Sequence, residues 1–370
     1  MAGKDFSDLG RVEAVKALYE GTPFEAFGHN SFEATGREYI AYASKVMLEG
    51  IDFDLVYFPL KHLGYKSVVG VTGELYAQMA HPAALSVRLG VSAKLDFAQV
   101  RELWEGIVAA AKEHGYKQVD LDLAPSRNGL CISVSAVGET ALLTARRRPT
   151  PKSKDLLCVS GSLGAAFLGM QALERERRRF DAGEADHSER EKALSQYRML
   201  VAAYLKPELG AATVAQLEAA EIVPSAGYFV TRGLADAVKR LSRDTGLGAK
   251  VYADKIPFEG NSFQLGKEIG IDTFSAAMNG GDDFRLLFAV PILSLEKFRR
   301  EFQTFDIIGH LAQPEAGTVL VTPDGVELPL RSPAGPTRTS LSSLPGPASF
   351  RWPSEARHLV PGRFTVSLKH

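Results

Sequence analysis

Cysteine is scarce in this chain: there are two in 370 residues, Cys131 and Cys158, each inside an apolar, strand-like run. Both read as buried free thiols acting as small hydrophobes. No apolar run approaches the roughly 20 residues that span a bilayer, so no membrane-crossing helix is expected. A surplus of either charge is also lacking. Forty-three lysines and arginines stand against 44 acids, a net charge of −1, which argues against nucleic acid or an anionic membrane surface as a partner. The first residues, MAGKDFSDLG, lack the apolar centre of a signal peptide, so a cytoplasmic location is expected. What is present, 45% apolar and 24% charged residues, is the balance of a globular protein with length for two or three domains.

The stretch Asp155 to Phe180 organises the rest. Leu156 to Val159 suits a buried strand, Ser160, Gly161, Ser162 and Gly164 break it with small residues, and Ala165 to Arg179 has the composition of a helix. A strand, a small-residue turn and a helix N-terminus together expose N–H groups and a helix dipole that favour an anion. A tight turn with no ligand is the other reading. Upstream, helices are expected near residues 5 to 20, over Lys61 to Met79 and over Phe97 to His114. Strands are expected from Thr35 to Leu48 and, alternating, from Ile51 to Tyr57, then at Leu85 to Val91, Gln118 to Leu123 and Leu130 to Val137.

Arg146 to Pro151 reads as a linker, which divides the chain into residues 1–148 and 149–335, with a Pro/Ser-rich tail, 336–370, expected to be mobile. Downstream, Asp181 to Glu191 reads as a polar break, and helices are expected at Leu194 to Tyr204 and Ala211 to Ala220. Later come a strand at Gly227 to Val230 and a hairpin from Val319 to Leu330. Strands and amphipathic helices alternate in both halves, so the fold class is α/β (α+β), with mixed sheets and helices packed on them.

Several stretches, in order, resemble thiamine-monophosphate kinase, of the superfamily that contains aminoimidazole ribonucleotide synthetase. They are MLEGIDFDL from Met47, YFPLKHLGYK from Tyr57, VSGSLGAA from Val159, LKPE from Leu205, NGGDDF from Asn279 with Leu286 to Phe288, and Ile308-Gly309-His310. The resemblance implies two α/β domains, a homodimer formed through N-terminal strands, ATP and Mg²⁺ as cofactors, and transfer of a phosphoryl group to thiamine monophosphate. Phosphoryl transfer rests on positioning and on cations that neutralise phosphates, and Mg²⁺ asks for oxygen ligands.

Most of the carboxylates implied by the resemblance are replaced. The family's early Gly-Asp-Asp is Gly28-His29-Asn30, and its Thr-Thr-Asp is Ala43-Ser44-Lys45. The Asn-x-Ser-Asp is Val71-Thr72-Gly73-Glu74, and Gly-Gly-Asp-Thr is Asp120-Leu121-Asp122-Leu123. Asp-x-Ser-Asp-Gly-Leu has become Phe229-Val230-Thr231-Arg232-Gly233-Leu234.

Glu74 and Asp122 are therefore the candidate metal ligands, and Asp52, Asp282 and Asp283 the candidate substrate pocket. Lys45, Arg148, Ser160, Gly161, Ser162, Gly164, Thr231 and Arg232 are the candidate nucleotide or phosphate contacts. Two readings follow. One is a degenerate homologue that binds a nucleotide or phosphorylated metabolite and acts as a homodimer or beside an active paralogue. The other is an active kinase with altered metal use. Altered chemistry on another phosphorylated metabolite is a third.

Overall fold

The computed structural model describes residues 31–33, 38–184 and 186–331. The expected helix at residues 5 to 20, Gly28-His29-Asn30 and the 336–370 tail lie outside the described residues.

Two sheets carry the fold. The first has the order β1-β2-β5-β3-β4, from β1 (Ser31–Glu33), β2 (Glu38–Leu48), β3 (His81–Ser92), β4 (Gln118–Ser126) and β5 (Cys131–Ala141). All its pairings are antiparallel except β3 with β4, whose parallel connection runs through a helix. The second has seven strands in the order β12-β11-β8-β10-β6-β9-β7. They are β6 (Leu156–Val159), β7 (Ala226–Val230), β8 (Gly248–Tyr252), β9 (Arg285–Val290), β10 (Asp306–Ala312), β11 (Thr318–Val321) and β12 (Glu327–Pro329). The hairpin read from Asp324-Gly325 is the β11–β12 pair, with Val319 opposite Pro329. Fold class and layering are as the sequence reading has them.

The helix α1 (Leu60–Ala77) lies between the sheets and is buried on almost every side. It has no polar face, and its glycines explain how neighbours come so close. A Cβ on Gly64 would lie 2.0 Å from the Leu103 carbonyl oxygen of α2 (Phe97–Glu113). Lys66, Gly70 and Gly73 fall on one stripe by the 3.6-residue repeat. Along that stripe a Cβ on Gly70 would meet the Lys45 side chain at 3.1 Å, and one on Gly73 would meet the Phe229 ring at 2.1 Å. From the far side, a Cβ on Gly227 of β7 would strike the Ala77 carbonyl at 2.1 Å. The notches on α1 and β7 let the two sheets share one seam.

Three expectations are corrected. Ile51 to Tyr57 is a chain of turns, not a strand, because Asp52 accepts the Leu48 N–H and Asp54 accepts the Val56 N–H, which folds the backbone on itself. The polar break at Asp181 to Glu191 contains the start of α5 (His187–Gln196), nucleated by a capping box between Asp186 and Glu189. The expected linker starts on the last residue of a short helix, α3 (Leu142–Arg146), so that Arg146 alone of it is helical. The remaining helices are α4 (Ala165–Asp181), α6 (Arg198–Leu205), α7 (Thr213–Ala219), α8 (Leu234–Thr245), α9 (Ser262–Ile269), α10 (Thr273–Asn279) and α11 (Leu295–Glu301). The sequence reading had no counterpart for α10. No helix among the described residues is long and apolar enough to cross a membrane.

Candidate functional site at the seam between the sheets

Five charged side chains from five segments meet where α1 passes between the sheets. Lys45 extends from β2, Asp52 from the turns after it, Lys66 from α1, Arg232 from the turn between β7 and α8, and Asp282 from the loop ahead of β9. Lys66 is the anchor. Its side chain is 0% exposed, and Nζ donates to the Asp282 carboxylate at 2.9 Å and to the Tyr204 carbonyl at 2.8 Å. It also lies 3.8 Å above the Tyr204 ring centroid, a cation–π contact on α6. Burial pulls the Lys66 ammonium below the ordinary lysine value, and the Asp282 carboxylate opposes that shift.

Asp282 shows the reverse balance. Burial would raise its carboxyl, but Lys66, Lys45 and Arg232 outweigh burial and hold it below the ordinary carboxylate value. Its backbone is in the left-handed region at φ 61°, as is that of Phe284 at φ 50°. Two non-glycine residues so placed within three positions mark a strained loop, of a kind that persists only where its surroundings fix it. Here the constraints are the N–H bonds of Asp282 to the Thr231 carbonyl and of Phe284 to the Val230 carbonyl, with the Lys66 ion pair and the stacking of Phe284 on Phe229. Lys45 caps the far side, its Nζ 4.9 Å from the Phe284 ring centroid.

Asp52 completes the group. Its carboxylate accepts the Leu48 N–H at 2.8 Å, and the Tyr204 hydroxyl donates to its carbonyl at 3.3 Å. Burial raises its carboxyl, an effect reinforced by Asp282 and opposed by the Leu48 N–H, Lys45 and Arg232. Arg232 is exposed at the rim with Thr231 beside it. The structure thus brings together Lys45, Asp52, Thr231, Arg232 and Asp282, which the sequence reading named. Lys66 it did not name, although the residue closes the quoted YFPLKHLGYK stretch.

Other candidates lie elsewhere. The anion at the N-terminus of α4 is protein: Asp283 accepts the N–H groups of Gly164 at 2.8 Å and Ala166 at 3.3 Å. Burial nevertheless pushes its carboxyl up to about 7. Ser160 and Leu163 donate their N–H groups to Leu286 and Pro257 carbonyls, and the Ser160 hydroxyl accepts from the Leu286 N–H. With the Ser160 and Gly164 N–H groups already engaged, these two residues of the expected Ser160-Gly161-Ser162-Gly164 anion turn are closed to a phosphate. Its next strand neighbour, Arg285, donates to the Ser162 carbonyl. Arg148 is also reassigned, since its guanidinium donates to the Gln78 side chain at 3.1 Å, away from the cluster.

The proposed metal pair separates as well. Glu74 faces Arg240, 3.8 Å away, while Asp122 is exposed on the edge strand β4 and accepts its neighbour Leu123's N–H. Mg²⁺ asks for several oxygen donors converging on one point. Among the described residues no group of three or more His, Cys, Asp or Glu side chains is so arranged. The two acids that do meet, Asp52 and Asp282, share their space with three cations. This donor set does not fit a bound Mg²⁺.

Comparison with known proteins follows the same lines as the fold. Residues 30–140 match the family described as AIR synthase related protein, N-terminal domain. A thiamine-monophosphate kinase from Synechococcus elongatus is 25% identical over 299 residues, 78% of this chain and 84% of the kinase. The structure of AaThiL complexed with AMPPCP and TMP superposes with a TM-score of 0.70 at 20% identity, covering 89% of this chain and 97% of that one. The E. coli hydrogenase maturation protein HypE superposes with a TM-score of 0.59 at 18% identity, over 80% and 87% of the two chains. Residues 30–140 are thus similar to the AIR synthase related N-terminal domain. Over most of its length the chain is similar to thiamine-monophosphate kinases, at the level of a distant relative.

Proposed function

We propose that this protein is a thiamine-monophosphate kinase-like homologue that binds a nucleotide or phosphorylated small molecule without metal and acts through binding rather than turnover. The observation that carries this reading is the cluster itself. Lys45, Lys66 and Arg232 outnumber Asp52 and Asp282, so the site has a fixed positive excess where a kinase of this kind needs a mobile cation. Lys45 and Arg232, the two cations not held in a direct carboxylate pair within the cluster, carry the exposed part of that excess. Arg232 offers a planar fork suited to phosphate oxygens.

Binding of an ATP analogue is expected to persist in chelator, to weaken with salt, and to fall on Arg232→Ala by about 1.5 to 3 kcal/mol, the scale of a hydrogen bond to a charged group. Calorimetric titration with and without Mg²⁺ measures this. Binding that needs Mg²⁺ and survives Arg232→Ala would favour an active kinase with altered metal use.

A homodimer through the first sheet is part of the same proposal. The face of that sheet turned from α1 exposes Tyr42, Val46 and Leu48 on β2 and Val137 on β5. Beside them runs an open groove of about 520 Å³ over Ala84, Ser86 and Ser135. Val46, 54% exposed, is the test position. Sedimentation at micromolar concentration is expected to give a dimer, and Val46→Glu to shift it towards monomer, because a charge buried in an apolar interface is costly. Monomer alone in the unaltered protein would count against it.

A further inference from the structure

Asp52 is the carboxylate of the cluster that is not ion-paired at contact distance. Asp282 is tied to Lys66 at 2.9 Å. Asp52 instead takes the Leu48 N–H at Oδ2, and among the described residues no cation lies within salt-bridge distance of it. Among the described residues, the charged or titratable groups that act on it are Lys45 from β2, Lys66 from α1, Arg232 from the β7–α8 turn, Asp282 from the loop before β9, and Tyr204 from α6. The cations act on Asp52 at a distance and are the same groups that an incoming anion would engage.

An oxyanion between Lys45 and Arg232 would satisfy those two cations and set a second negative charge beside Asp52. Lys66 cannot relieve the conflict, because it is fully buried and its Nζ is already committed to Asp282 and the Tyr204 carbonyl. Asp282 is held ionised by its contact with Lys66. Asp52 is left as the group able to respond.

We propose that Asp52 takes up one proton from solvent when an oxyanion binds between Lys45 and Arg232, so that this residue sets the pH range over which the site accepts an anion. The proton goes to Oδ1, since Oδ2 accepts the Leu48 N–H, and the resulting O–H can donate to the bound anion. No other bond is made or broken. The inference rests on the anion-site reading above.

The sign follows from linkage. The free carboxyl already lies above its ordinary value, chiefly through burial, and a bound anion moves it higher. Protons are therefore taken up on binding between those two values, and affinity falls as pH rises through that window. Sulfate is a suitable probe because it does not titrate in the range used.

Isothermal titration with sulfate, in buffers of different ionisation enthalpy, is expected to show proton uptake within that window and affinity about fivefold to tenfold higher on its acid side than at higher pH. Asp52→Asn keeps an acceptor for the Leu48 N–H. It is expected to bind sulfate more tightly than the unaltered protein at the higher pH, with no proton uptake and a flat profile. Unchanged proton uptake in Asp52→Asn would overturn the proposal. Sulfate binding by the unaltered protein that is indifferent to pH and buffer would overturn it while leaving the anion site standing. Absence of any sulfate binding would overturn both.

Discussion

Thiamine monophosphate is expected to be phosphorylated by this chain at least about a thousandfold more slowly than by an active relative such as the Synechococcus elongatus kinase, a loss of at least about 4 kcal/mol in transition-state stabilisation. Phosphoryl transfer asks little of a protein besides alignment and cations able to follow the charge as it builds on the β–γ bridging oxygen that leaves with ADP. A unit charge about 4 Å from an ion is worth on the order of 4 kcal/mol at an effective dielectric near 20. Lys45 and Arg232, standing where the family resemblance places carboxylates, therefore repel a metal as well as fail to ligate it. They do not replace it in full, because Asp52 and Asp282 offset much of their field and Lys66 is pinned in the protein. Release of ADP from Mg-ATP and thiamine monophosphate, followed beside the active kinase, measures the difference. Turnover within about tenfold of the relative would reject the binding-protein reading, since the barrier would then differ by only about 1.4 kcal/mol.

The fold was legible where short motifs were in the right order and where local chemistry is decisive. The apolar run Leu156 to Val159, the small residues after it and the helix formers from Ala165 marked β6, its turn and α4, and the Asp324-Gly325 pair marked the β11–β12 hairpin. Lys45, Asp52, Arg232 and Asp282 were legible because each stands at a motif position. Lys66 was not, for a physical reason. On an amphipathic helix a lysine signals the solvated face, but α1 is enveloped and has no such face. The available signal was the stripe Lys66, Gly70, Gly73, a cation aligned with two notches, which indicates close approach by something else. Asp283 shows the opposite failure. The turn at Gly164 did promise an anion at a helix N-terminus, and one is there, but it arrives from 119 residues away in the chain. Local sequence cannot tell a ligand's phosphate from a distant carboxylate.

Phe229→Ala is expected to destabilise the protein by about 3 to 5 kcal/mol, the range for removing a large buried aromatic. Phe229 is 1% exposed and stacks on Phe284 with ring centroids 5.5 Å apart and planes 21° off parallel. Its ring fills the notch at Gly73, so truncation opens a cavity against α1 that the backbone of a long buried helix cannot easily close. The loss also reaches the charge cluster, because Phe284 sits at φ 50° and the stack is one of the contacts that keep it there. Restoring the acid that the family resemblance places here tests this further. Phe229→Asp sets a carboxylate in the apolar seam and is expected to cost at least as much as Phe229→Ala, since an unpaired buried charge adds to the cavity term. Urea unfolding of both variants, with the slope checked so that midpoints can be compared, gives the two values. A loss below about 1 kcal/mol for Phe229→Ala would place the ring outside the core. Unchanged stability of Phe229→Asp together with newly Mg²⁺-dependent nucleotide binding would show that a metal site survives beneath the aromatic.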